Sequence, residues 1–281
     1  MANATEVLLD GLTFPEGPRW HDGKLWFSDM HAGAVLSVDA SGKSEVMVEV
    51  PNAPSGLGWL PDGRLLVVSM TDRRLLRLDP DGLTEAADLS ELASYHCNDM
   101  VVDDQGRAYV GNFGFDLHDH EAPTSAEIVL VTPDGRTRLV ADEMQFPNGS
   151  VITPGGATLI VGETFGTCLT AFSIETDGSL SGRRIWAQLD GILPDGICLD
   201  AEGAIWVASP VSHAIFRVAE GGEILQRIPL ESQSFACMLG GPERRTLHVC
   251  SAETSLPDEA RAKRTGRIEI VEVDVAAAGL P

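Results

Sequence analysis

Short apolar runs, each closed by a polar turn, succeed one another along nearly the whole chain. The order is plainest after residue 54. Ser55-Gly-Leu-Gly-Trp-Leu60 is a first strand, and Pro61-Asp62-Gly63 turns it. Leu65-Leu-Val-Val-Ser69 follows as a near-continuous apolar run, the pattern of a strand buried on both faces. Leu75-Leu-Arg-Leu-Asp79 is a third strand, interrupted by Arg77, and Pro80-Asp81-Gly82 turns into a fourth. Asp-Gly recurs between runs because it tolerates the positive φ of tight hairpins. The same succession reappears as Leu25-Trp-Phe-Ser28 with Val35-Leu-Ser-Val38, and as Ala204-Ile-Trp-Val-Ala208 with Ala214-Ile-Phe-Arg-Val218. It returns as Thr246-Leu-His-Val-Cys250 with Arg267-Ile-Glu-Ile-Val-Glu-Val273.

Each unit opens on a polar or Gly-containing segment. These openings are Phe14-Pro15-Glu16-Gly17, Pro54-Ser55-Gly56, Cys97-Asn98-Asp99, Phe146-Pro147-Asn148-Gly149, Pro194-Asp195-Gly196 and Phe235-Ala236-Cys237. Their aligned residues 16, 55, 98, 148, 195 and 236 are separated by 39, 43, 50, 47 and 41 positions. A period near forty with several strands per unit predicts an all-β, six-bladed β-propeller, a single domain over residues 1–281. The last unit lacks an outer strand after Val273, and Glu6-Val-Leu-Leu9 is a spare strand before the first. The N-terminal strand is therefore expected to close the last blade, which removes exposed edges. Residues 112–126 and 253–266 lengthen the third and sixth units between their second and third strands. Such connections emerge on the face of the unit openings and could rim a pocket there.

Composition narrows the partners. The net charge is −22, from 20 basic and 42 acidic residues, which argues against a nucleic-acid or anionic-membrane partner. Five cysteines without a CxxC pair read as thiols of a reducing cytoplasm, with Cys198 and Cys250 inside apolar strands. No signal peptide and no apolar run of about 20 residues is visible, so a cytoplasmic location and no membrane are expected. A domain of this size can bury roughly 75% of its unfolded surface and needs neither metal nor disulfide to hold it together.

The candidate chemistry comes from register. Glu16, Asn98, Asn148 and Asp195 occupy one position of their units, whereas Asp62 and Asp134 lie in later turns. In a propeller that position faces a common axis, so two carboxylates and two amides would converge into an oxygen cage. Such a set suits one divalent ion, Ca²⁺ first, with Zn²⁺, Mn²⁺ or Mg²⁺ as alternatives. The histidines show no zinc-ligand spacing, and His118-Asp119-His120 reads as part of a mobile loop. There is no GxSxG, no GxGxxG opening a helix, and Gly42-Lys43-Ser44 lacks the first Gly of a P-loop.

These openings with the repeat resemble the regucalcin/gluconolactonase family of six-bladed propellers. The resemblance is carried by Phe14-Pro-Glu-Gly-Pro-Arg-Trp20 with Leu25-Trp-Phe-Ser-Asp29, by Asn98-Asp99 and by Pro147-Asn148-Gly149. Pro194-Asp195-Gly196 and Leu239-Gly-Gly-Pro242 complete it. It implies metal ligands at Glu16, Asn148 and Asp195, a substrate-facing Asn98, and Asp195 as general base in lactone hydrolysis. Two departures stand out. His96 occupies the place of a family Arg, and Asp116 is the best match for a family acidic residue. With Phe113 and Phe115 added near the mouth, these departures point to a substrate less polar than a sugar acid. The resulting expectation is a metal-dependent lactonase taking a small lactone, with Asn98, Asp99, His96, Asp116, Phe113 and Phe115 on the substrate. The alternatives are another metal-dependent esterase or organophosphate triester hydrolase, and a non-catalytic calcium-binding scaffold. The sequence leaves the oligomeric state open.

Overall fold

A computed structural model of the chain describes residues 4–117 and 122–280. His118-Asp119-His120 lies outside the described residues. Six four-stranded antiparallel sheets follow one another in chain order among the described residues, the blades of a β-propeller. The second blade is Pro54–Trp59, Leu65–Ser69, Arg74–Asp79 and Gly82–Asp88, as its apolar runs predict.

Closure is as expected. Strand Glu6–Leu12 pairs antiparallel with Gly266–Glu272, with Glu6 opposite Ile270 and Leu12 opposite Gly266, so the last blade draws its outer strand from the N-terminus. The segment after Val273 has a use the periodicity does not disclose. Ala277 bridges to Asp200, and Leu280 exchanges backbone hydrogen bonds of 2.8 and 2.9 Å with Ile152, so the tail runs across blades five and four.

The core is distributed between blades. Val35 and Val50 of blade one pack with Leu57, Leu65 and Val67 of blade two, and Val101 and Tyr109 of blade three pack with Leu159 and Val161 of blade four. Each such interface removes several large aliphatic side chains from water, worth about 1.5–3 kcal/mol per side chain. All five cysteines are buried and free of disulfides, and the Cys198 and Cys237 sulfurs approach to 3.8 Å. A separate cluster lies at the blade openings and contains Phe14, Met30, Met70, Phe113, Phe146 and Phe235.

The innermost strands share a device. Their pairing slips between Glu16 and Arg19, between Pro54 and Leu57, between Cys97 and Met100, and between Pro147 and Ser150. A bulge bends its strand and re-aims a side chain. Here it recurs at the repeated position, so Glu16, Asn98 and Asn148 all sit on bulges. No helix among the described residues is long and apolar enough to cross a membrane.

Candidate metal centre and active site

The openings bring inner strands of adjacent blades into contact. Gly149 N–H donates to the Asp195 carbonyl at 3.2 Å, and Gly196 N–H donates to Phe235 O at 2.7 Å. Glycine at 149 is required by space: a Cβ there would lie 2.4 Å from Ile197 N and 2.7 Å from Asp195 O. Gly17 combines a positive φ of 53° with a position where a Cβ would lie 2.8 Å from Ser55 O.

Glu16, Asn98, Asn148 and Asp195 all line one cavity of about 220 Å³ at the face of the openings. Asn98 Nδ2 donates to Asn148 Oδ1 at 3.1 Å. Asn148 Nδ2 donates to Thr164 Oγ1 at 3.2 Å, and that hydroxyl donates to Pro194 O at 2.8 Å. Thr164 therefore fixes which end of the Asn148 amide faces the cavity. Glu16 keeps part of its surface open to the cavity, with Oε2 accepting from Gly17 N–H at 3.0 Å.

The two carboxylates stand in a costly environment. Burial pushes Glu16 up to about 8, against a smaller opposing pull from Gly17 N–H. Asp195 is raised well above the usual carboxylate range, first by burial and then by the charge of Glu16, with a hydrogen bond from Asn148 opposing. Buried acids that raise one another in this way are relieved by a cation between them. The donor set fits a hard divalent ion: two carboxylates and two amides, with neither sulfur nor imidazole among them. Among the described residues no group of three or more His, Cys, Asp and Glu side chains could hold a metal, and the amides are what complete this set.

The other sequence candidates fall in different places. Phe113 lines the cavity. Phe115 is buried behind it, 6.0 Å from Phe146 and 5.7 Å from Phe165 between ring centres. Asp99, His96 and Asp116 are not on the wall. Asp99 Oδ1 takes the Arg19 guanidinium at 2.6 Å and Met100 N–H at 2.8 Å, a buried ion pair beneath the cage. His96 stacks on Tyr95 at 4.1 Å, and Tyr95 Oη donates to Asp116 Oδ2 at 2.5 Å. Residue-by-residue reading passed over Phe14, Phe146 and Phe235, which line the cavity. The available signal was an aromatic heading three of the six openings, two residues before Glu16 and Asn148. Both lengthened connections reach the rim, through Leu117 and Ser255.

Relatives follow the whole molecule. Regucalcin of Danio rerio is 27% identical over 187 residues, covering 65% of this chain and 63% of that protein, a little under two thirds of it. The 6-deoxy-6-sulfogluconolactonase of Pseudomonas putida is 24% identical over 256 residues, covering 88% of this chain and 86% of that enzyme. The crystal structure of a calcium-binding protein, regucalcin, from Agrobacterium tumefaciens superposes with a TM-score of 0.83 at 24% identity, covering 100% of this chain and 97% of that one, a likeness of fold. A family model described as the SMP-30/gluconolactonase/LRE-like region matches residues 14–253, and this chain belongs to that family.

Proposed function

We propose that the protein is a lactonase whose cage holds one divalent cation. The observation that carries the reading is the pair of buried carboxylates, Glu16 and Asp195, gathered with Asn98 and Asn148 on one cavity. The Pseudomonas putida relative, a gluconolactonase by name, supports the reaction class. Glu16, Asn148 and Asp195 would hold the ion, and when bound it would supply positive charge that polarises an ester carbonyl.

The chain's own residues do the rest. Asn98, hydrogen-bonded to Asn148, lines the cavity where the lactone would sit. Asp195 takes a proton from the attacking water as the water oxygen bonds to the carbonyl carbon. Its place on the cavity, beside the hydrogen-bonded Asn148, sets Asp195 for that step. The ring C–O bond then breaks, the departing oxygen takes up a proton, and a hydroxy acid leaves. The apolar wall excludes competing water.

The test is hydrolysis of a lactone panel before and after chelation, with Ca²⁺, Mn²⁺, Zn²⁺ or Mg²⁺ added back. Chelation should abolish turnover and one of these ions should restore it. Asp195→Asn should lower kcat by about 10²–10⁴-fold in a chain that still folds. Cation binding with no lactone or triester turned over would make the protein a binding scaffold and end the hydrolase reading.

A further inference from the structure

We propose that the lactone accepted by this cavity carries a flat apolar substituent, an aromatic ring above all, where a sugar acid carries hydroxyls. The proposal rests on the lactonase reading and adds the chemical class of its substrate.

Two aromatic walls face each other above the cage. On one side Phe113 stacks on Phe146 at 4.6 Å and 28°, and Phe165 meets Phe146 edge-on at 5.2 Å. These side chains belong to blades three and four. On the other side Phe14 meets Phe235 edge-on at 4.7 Å, and the His31 ring stacks on Phe14 at 5.0 Å. Those belong to blades one and six, which lie opposite blades four and three in a ring of six. All five phenylalanines line the cavity. A flat ring between the walls would gain offset or edge contacts on both sides.

Several polar groups of the wall are committed elsewhere. The Thr164 hydroxyl donates to Pro194 O at 2.8 Å, and Gln233 Nε2 donates to Glu253 O at 2.9 Å. His31 Nε2 lies 3.0 Å from Ser255 O. Among the described residues, sugar hydroxyls carried past the cage would lose water and meet a wall that is mostly aromatic. Each such hydroxyl weakens binding by about tenfold to a hundredfold.

The mouth carries the same signature. Phe165 is 40% exposed and Leu117 is 37% exposed, and both line the cavity. Contiguous apolar surface at a cavity mouth marks a place that a ligand covers. Size agrees: an apolar cavity of about 150 Å³ takes a benzene ring. The cavity here, about 220 Å³, has room for a lactone with one such group.

The experiment separates binding from turnover. The Ca²⁺-loaded parent protein is titrated by calorimetry with two lactams that resist hydrolysis, γ-phenyl-γ-butyrolactam and D-glucono-δ-lactam. The corresponding lactones are assayed for kcat/KM. The phenyl lactam should bind at least about tenfold more tightly, and Phe165→Ser should remove about tenfold of its affinity while leaving the glucono-lactam unaffected. Phe165 is exposed enough for the variant to fold, which an unchanged Tm checks. A glucono-lactam bound as tightly as the phenyl lactam, or an unaltered preference in Phe165→Ser, overturns the proposal even if lactones are hydrolysed. A phenyl preference without turnover of either lactone upholds the apolar site and overturns the hydrolase reading.

Discussion

Glu16 is a residue whose state a cation would change. Buried and raised to about 8, it is protonated near neutral pH when no positive charge stands beside it. Its native pKa lies above its unfolded value, so the folded chain binds more protons between about 4.5 and 8 and loses stability as pH rises through that window. A cation binds only the ionised form, so binding must expel the proton and affinity must climb with pH until Glu16 is ionised by itself. Calorimetric titration with Ca²⁺ near pH 7, in buffers of different ionisation enthalpy, should report proton release from Glu16 and Asp195 on binding. The share from Glu16 should fade above pH 8. Heats independent of buffer would mean that Glu16 is not a ligand. Asp99 has a different fate: the Arg19 guanidinium 2.6 Å away occupies it, so it acts as a fixed counter-charge under the cage.

At the scale of the strand, the recurring bulge does the positioning. Glu16, Asn98 and Asn148 each sit where the inner strand slips register against its neighbour. Close approach between blades then fixes how far apart these side chains stand. Gly149 is one of the tightest of these clasps around the site, because its missing Cβ would meet backbone of Asp195, Gly196 and Ile197. Gly149→Ala should force the inner strands of blades four and five apart. The expected cost is about 1–3 kcal/mol by thermal unfolding, with a weakened Ca²⁺ affinity, because Asn148 and Asp195 would separate. An alanine variant as stable as the parent and equal in cation binding would show that the clasp is slack.

At the scale of the molecule, ring closure decides whether the cage exists, since Glu16, Asn98, Asn148 and Asp195 of blades one, three, four and five line one cavity only in a closed wheel. Closure depends on the strand Glu6–Leu12. Removing it would bare the hydrogen-bonding edge of Gly266–Glu272, and an unpaired strand edge templates association. The chain lacking residues 1–12 should leave the monodisperse fraction in size-exclusion chromatography and form larger species. A truncated chain that stays monodisperse, with unchanged Tm, would assign closure to other contacts.

Much of this was legible in the chain because the physical signals are local and repeated. Alternating apolar runs and Asp-Gly turns mark strands and hairpins wherever they occur, and a period near forty leaves few architectures but a propeller. The shared register of Glu16, Asn98, Asn148 and Asp195 follows from the same repetition. What the sequence could not decide is which way neighbours of those residues face. Asp99 adjoins Asn98 yet pairs with Arg19, and His96 stacks on Tyr95; the bulge between Cys97 and Met100 breaks the simple alternation from which their facing could have been read. The opposed aromatic walls were equally out of reach, because Phe14 and Phe146 meet a common cavity only after three blades have wound between them. The C-terminal tail carries no period at all, and its path over Ile152 and Asp200 is set by backbone groups that only the assembled blades present.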